Sequence, residues 1–313
     1  LTALPATPNQ RKIPETGPKS GVRISSRKNT SAHCVNDDNG DEGVVQLSST
    51  AFSKAKQTLA DMFGGVSSAP RQGWNLAARD IRIEYVHTKM GLFWAFIEPL
   101  AIAGVFIALR SSGSLEVSGL NMPFSLFAVS GILIWQTFFD GMMMSLTSLQ
   151  RASGLIGNYA MPPESLMMAM VFRSLFLLCM RVPIVLGLAA AQGLLEWQNA
   201  LLFIAMSPIC ALGGVAVGLF FAPFTLVSGD LKLAVGVIAR PMLYLSGAVF
   251  PLTGGLAIFK HGNPVALTIE ELRFCLLSPS LSHILPLFYV ALGIMALFCV
   301  SWFAYHRTMR AYV

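Results

Sequence analysis

The sequence predicts an all-α integral membrane fold with six transmembrane helices, and three observations predict it. Only 12% of the 313 residues are charged while 54% are hydrophobic, against roughly a quarter charged in soluble domains. Six apolar stretches each run for about 20 residues, the length at which an α-helix crosses a hydrocarbon core of about 30 Å. Within them the apolar residues are continuous rather than alternating with polar ones. That pattern selects helices over a closed β-barrel, the other backbone arrangement that lipid tolerates.

Residues 1–70 are of a different material, rich in Pro, Ser, Thr, Asn and Asp and too poor in apolar residues to form a core. They are expected to be a disordered or spurious N-terminal extension of a membrane domain that occupies residues 71–313. Met62 is a plausible start, and nothing in the functional reading needs residues 1–61. Phe52, Ala55, Leu59 and Met62 follow helical spacing, which reads as a transient helix sooner than as a membrane-surface anchor. A compact apolar run after a basic start, the mark of a secretory signal, is missing from this segment.

From Trp74 to Lys89 the chain is polar enough to stay out of the bilayer, yet Trp74, Leu76, Ile81, Ile83 and Tyr85 give it an apolar face. The expected element is an interfacial amphipathic helix carrying Arg79, Asp80, Arg82, Tyr85 and Thr88, with its cations toward anionic lipid. The six spans follow near residues 92–109, 124–147, 164–191, 199–227, 232–250 and 284–305. The third and fourth are long enough to be tilted, or broken at Pro183 and Pro208.

Lys and Arg set the orientation. With an even number of spans, one side holds Arg71, Arg79, Arg82, Lys89, Arg151, Lys232, Arg307 and Arg310, and the other holds Arg110, Lys260 and Arg273. Both termini are therefore expected in the cytoplasm, and the net charge of +6 reads as a topology signal rather than as nucleic-acid affinity. Of the five cysteines, three lie inside spans and none makes a C-x-x-C pair, so neither disulfides nor structural zinc are expected.

An ionisable side chain at mid-membrane costs at least about 2.5–3.5 kcal/mol, so it should face protein or water. Glu98, Asp140, Arg173, Arg181 and Arg240 are such residues. Glu98 and Arg240 suit a structural ion pair or a polar path. Arg173 and Arg181 lie about 12 Å apart along one helix and about 80° around it, placed either to attract an anionic substrate group or to satisfy carbonyls. No phosphate-wrapping glycine loop is present: Gly17-Pro-Lys-Ser lacks the required spacing. The histidines make no metal-binding pattern, and no catalytic or cofactor site is visible, so the chain is not expected to be an enzyme.

The stretch RDIRIEYVHTKMGLFWAFIEPL, residues 79–100, resembles the opening of ABC-2 type polysaccharide export permeases, carried by Arg79, Asp80, Tyr85, Thr88, Gly91, Trp94, Ala95, Glu98 and Pro99. The Glu-Pro pair is most similar to the capsular-polysaccharide branch. Three further blocks resemble the family in the same order: GILIWQTFF at Gly131–Phe139, RPMLYLSGAVFPL at Arg240–Leu252, and NPVALTIEELRFCLL at Asn263–Leu277. The short basic tail YHRTMRAYV also agrees. The resemblance covers residues 74–313.

What the resemblance implies is a homodimeric transport subunit in the bacterial inner membrane. A separate ATP-binding cassette subunit supplies ATP and Mg²⁺, and the cargo is a lipid-linked capsular polysaccharide, with further envelope proteins as export partners. The loop from Arg151 to Pro163, with Gly157 and Pro162, would take up the motion of the ATPase. Trp135, Phe138 and Tyr244, together with Arg173, Arg181 and Arg240, become candidates for the translocation path, because sugar rings stack on aromatic faces. Asn263 and Pro264 would open short extracytoplasmic helices between spans five and six. Thr268 and Glu271 there make a T-x-x-E capping box, and Arg273 is read as salt-bridged to a neighbour in preference to meeting sugar acids. Alternatives are a permease for O-antigen, teichoic acid or another glycan, a drug or lipid exporter of the same fold, an integral-membrane glycan enzyme, and an ion-coupled secondary transporter. The last should show inverted repeats, and no such internal symmetry is visible.

Overall fold

The computed structural model is helical in every element it describes. It describes residues 69–86, 93–114, 120–151, 163–277 and 281–312. The expectations for residues 1–68 and for Thr88, Lys89, Gly91, Gly157 and Pro162 lie outside the described residues, as do those for the side chains of Trp94, Ala95, Glu98 and Arg310. The named helices are α1 (Ala69–Val86), α2 (Trp94–Ser111), α3 (Phe124–Leu146), α4 (Pro163–Ala191), α5 (Trp197–Met206), α6 (Pro208–Val227), α7 (Asp230–Leu245), α8 (Ala257–Gly262), α9 (Pro264–Leu277) and α10 (Leu281–Tyr312), with a 3₁₀ turn at Gly254–Leu256.

Four helical stretches are long and apolar enough to cross a membrane: α3, α4, the α5–α6 pair over Trp197–Val227, and Leu285–Met309 of α10. The expected second and third spans agree with α3 and α4 to within a residue. Pro208 does interrupt the fourth, since α5 stops at Met206 and α6 restarts at Pro208. Pro183 breaks nothing: α4 runs through it for 29 residues.

The first expected span, 92–109, falls on α2, a helix of 18 residues, and the fifth falls on a shorter one. Helix α7 has 16 residues, about 24 Å at 1.5 Å per residue, not the 19 residues read from the sequence. Its stop is local chemistry: Gly247 sits at φ 70°, a left-handed conformation open to glycine, and Ser246 and Gly247 N–H turn back onto the carbonyls of Met242 and Tyr244.

Helix α3 is the hub, packing against α2, α4, α6, α7 and α9. Lipid supplies little hydrophobic drive between helices, so close packing over small residues holds such bundles together. Gly214 and Gly218 of α6 lie one turn apart against the carbonyl oxygens of Phe138 and Met142 of α3, and a methyl group at either glycine would overlap those oxygens. Gly73 likewise lets α1 settle on α4, where an added Cβ would stand 2.6 Å from the Cβ of Met168.

Hydrogen bonds define two ends of the bundle. At one, Ser165 of α4 donates to Gln72 Oε1 of α1 (2.9 Å), Gln150 donates to the Thr225 carbonyl of α6 (2.9 Å), and the Ser148 and Tyr305 hydroxyls meet at 3.2 Å. At the other, Gln192 of α4 donates to Ser125 of α3 (2.7 Å) and Asn199 of α5 donates to the Leu277 carbonyl of α9 (3.1 Å). Arg71, Arg151, Lys232 and Arg307 therefore belong to the first end, and Arg110, whose guanidinium lies 5.1 Å from the Phe124 ring, to the second. For these five residues the grouping is the one expected from the charge pattern.

Helix α9 corrects two expectations. It begins at Pro264, and its cap is Asn263, whose Oδ1 accepts the Val265 N–H at 3.0 Å. Proline at the first helical position is preorganised for a start. Thr268 therefore lies inside the helix, bonded back to the Pro264 carbonyl at 2.7 Å, and the T-x-x-E pattern caps nothing. Replacing Asn263 with alanine should cost about 1 kcal/mol, read as a lowered thermal midpoint in detergent, while Thr268→Ala should change it less.

Arg273 on α9 makes no salt bridge among the described residues. It is 5% exposed and its guanidinium donates to the carbonyls of Gly247 (2.8 Å), Ala248 (2.7 Å) and Phe127 (2.8 Å), with Ser130 Oγ at 3.4 Å. Its planar face lies 3.6 Å over the Phe127 ring. Burial lowers its pKa to about 9, which leaves it charged at neutral pH. Beside it, Glu270 pairs with Lys260 at 2.7 Å.

Candidate functional site

A cavity of about 300 Å³ opens near the Arg-rich end, walled by α1, α3, α4 and α7. Each wall brings charge. Helix α3 presents Gln136, Asp140 and Thr147, with Arg151 just beyond its end, and α4 presents Arg173 and Arg181. Glu84 and Tyr85 come from the last turn of α1, and Lys232 from the first turn of α7. Four cations thus face two carboxylates.

The two arginines are where helical spacing predicts, and the structure resolves what they meet. Arg173 pairs with Glu84, and Arg181 pairs with Asp140 while donating to Thr137 Oγ1 at 3.1 Å. The guanidinium side chains are 9% and 4% exposed, but Glu84 and Asp140 remain 47% and 27% exposed. The cations are thus sunk in the wall and the carboxylates sit at its open face. The Nε of Arg181 finds no acceptor among the described residues. Burial, then the adjacent Glu84 carboxylate, raise the Tyr85 phenol above its ordinary pKa, so it stays protonated.

Other expected site residues lie elsewhere. Trp135 stacks on Phe139 with centroids 5.2 Å apart and packs against the core. Phe138 lines a separate apolar cavity with Cys210 and Gly213. Tyr244 joins Phe106 and Phe250 in an aromatic cluster, and Arg240 is exposed on α7. Arg79 pairs with its neighbour Asp80 at 3.2 Å on the surface of α1, and Arg82 is exposed on the same helix.

Two charged features escaped the sequence reading. Glu84 was read only as part of an interfacial helix, although it reaches the third span. Glu164 in the first turn of α4 and His306 of α10 approach to 2.6 Å with both side chains under 5% exposed. An acidic residue in a first helical turn and a histidine one residue past the sixth expected span were the available signals. Among the described residues no group of three or more His, Cys, Asp or Glu is arranged to hold a metal, and the four described cysteines are free.

Fold and cavity define the class: a helical protein with four helices suited to crossing a membrane and a charged cavity against two of them, α3 and α4. No protein-family model matches the chain, and no curated protein matches it.

Proposed function

We propose that this chain is the membrane-spanning permease subunit of an ABC-2 type exporter that moves a lipid-linked polysaccharide, of the capsular kind, out across the bacterial inner membrane. It works as a homodimer with a separate ATPase. The observation that supports this most is the cavity itself. Ionisable groups among membrane helices are costly unless they face one another or an aqueous path, and here four cations and two carboxylates converge on one opening.

In this reading α2 and α7, the latter with the turn at Gly247, complete six crossings, both termini are cytoplasmic, and α8 and α9 lie on the far side. The cavity then opens toward the cytoplasm, with Arg151, the first residue of the segment that would meet the ATPase, at its edge. The exposed apolar residues Leu233, Val237 and Ile238 of α7 suit contact with lipid or a second copy.

The test is ATP-dependent export in vesicles holding this chain and the ATPase encoded beside it, supplied with labelled lipid-linked capsule polymer. Accumulation that needs both proteins and hydrolysable ATP is expected, and Gly157→Trp should abolish it while the protein remains inserted. Transport that proceeds without the ATPase would replace this reading with an ion-coupled secondary transporter.

A further inference from the structure

We propose that the cavity between α1, α3, α4 and α7 is a binding site for a phosphate-class dianion, and that Glu84 and Asp140 hold its two buried guanidiniums when the anion is absent. The inference deepens the transport reading and rests on it only for the direction in which the ligand moves.

Three observations carry it. First, Arg173 and Arg181 are nine-tenths or more buried, and Arg181 keeps an Nε–H with no acceptor among the described residues. A guanidinium fork with a spare donor is suited to a tetrahedral oxyanion, which accepts several hydrogen bonds at once. Second, the charges do not balance. Four cations less two carboxylates leave a surplus of two, which a phosphomonoester or diphosphate group, with about −1.5 to −2 charge at neutral pH, neutralises and a single sugar carboxylate does not. Third, the carboxylates are the accessible partners. At 47% and 27% exposed they face the opening more than the guanidiniums do, which are 9% and 4% exposed and stay buried when the carboxylates are displaced. A volume of about 300 Å³ accommodates a headgroup, not a polymer, and lies at the small end of ligand cavities. Exposed Lys232 and Arg151 draw an anion to the opening,.

The phosphate comes either from a lipid headgroup or from a free ion, and the two are separable with the full chain in nanodiscs. One arm titrates phosphatidic acid into phosphatidylcholine discs and counts bound lipid by native mass spectrometry. The other titrates inorganic phosphate by calorimetry into discs of phosphatidylcholine alone. Asp140→Asn/Arg181→Gln removes one opposite-charge pair together, so no lone buried charge is left behind. Lys232→Gln at the exposed mouth is the second variant, and it decides the question should the first fail to fold.

Retention of phosphatidic acid over phosphatidylcholine, weakened about tenfold by the double variant and several-fold by Lys232→Gln, supports the site with a lipid source. Phosphate binding with the same losses and no lipid preference supports it with a soluble source. Absence of both, or binding indifferent to both variants, overturns it. No ATPase is present in either arm. Failure here beside intact export therefore removes the anion site and leaves the exporter, and binding without export does the reverse.

Discussion

Gly218→Leu in α6 should lower the thermal unfolding midpoint in detergent far more than a leucine placed at an open glycine, at a cost of about 3 kcal/mol or more. The reason is what faces it. At Gly214 and Gly218 the opposing atoms are backbone carbonyls of α3, with Ser145 Cβ also 2.7 Å from an added methyl at Gly218. A flexible side chain could swing aside, but helix backbone on both sides cannot. Leucine must therefore push α6 off α3, and the dispersion contacts along the whole crossing are lost with it. Gly236 of α7 is the matched control, because nothing lies within 4 Å of a Cβ built there. Gly236→Leu should change the midpoint little. Equal effects at the two sites would mean that the crossing does not hold the bundle together.

Arg273→Met should be the second large effect, about 3 kcal/mol or more. Methionine keeps the length and the apolar stem but removes every donor. The carbonyls of Gly247, Ala248 and Phe127 are then left buried with fewer partners, each at about 1–3 kcal/mol. Arg273→Lys should fall between, since an ammonium keeps the charge without the planar fork that reaches α3 and the turn after α7 together. The expected order of midpoints is wild type, then lysine, then methionine. Gly131→Ala tests the same clamp from the opposite side, because its methyl would overlap the guanidinium and the Ala248 carbonyl. If methionine melts with the wild type, the bonds to these carbonyls carry no weight in the fold.

How far the sequence reaches depends on whether the deciding forces are local. Helices α3 and α4 were legible to within a residue because an unbroken apolar run leaves the backbone no option but to bond internally. The early stop of α7 was harder: hydropathy continues through Ala248, Val249 and Phe250, and only the left-handed glycine at position 247 ends the helix. At α9 two starts competed in the sequence, Asn-Pro and T-x-x-E, and the proline, which cannot sit comfortably deeper in a helix, decided between them. The positions of Arg173 and Arg181 on one helix followed from their spacing. Their partners did not, because Glu84 and Asp140 lie 89 and 41 residues away, and only the docking of α1 and α3 on α4 brings them together. Arg273 shows the same limit more sharply: its acceptors are backbone atoms, which carry no signature in a sequence.

The short helix α7 also has a mechanical meaning. Only Ala239 and Leu243 of its 16 residues are buried, while the turn at its far end is fastened by Arg273. Its other end carries Lys232 and follows Ser228, whose backbone is extended at φ −134° and ψ 111°. The helix is thus anchored like a reed, fixed at the tip of one end and lightly seated along its length. The walls from α3 and α4 belong to the densely packed crossing and are expensive to shift, so the smallest opening energy around the cavity belongs to α7. Widening the chamber calls for a swing of that reed and leaves the glycine crossing undisturbed.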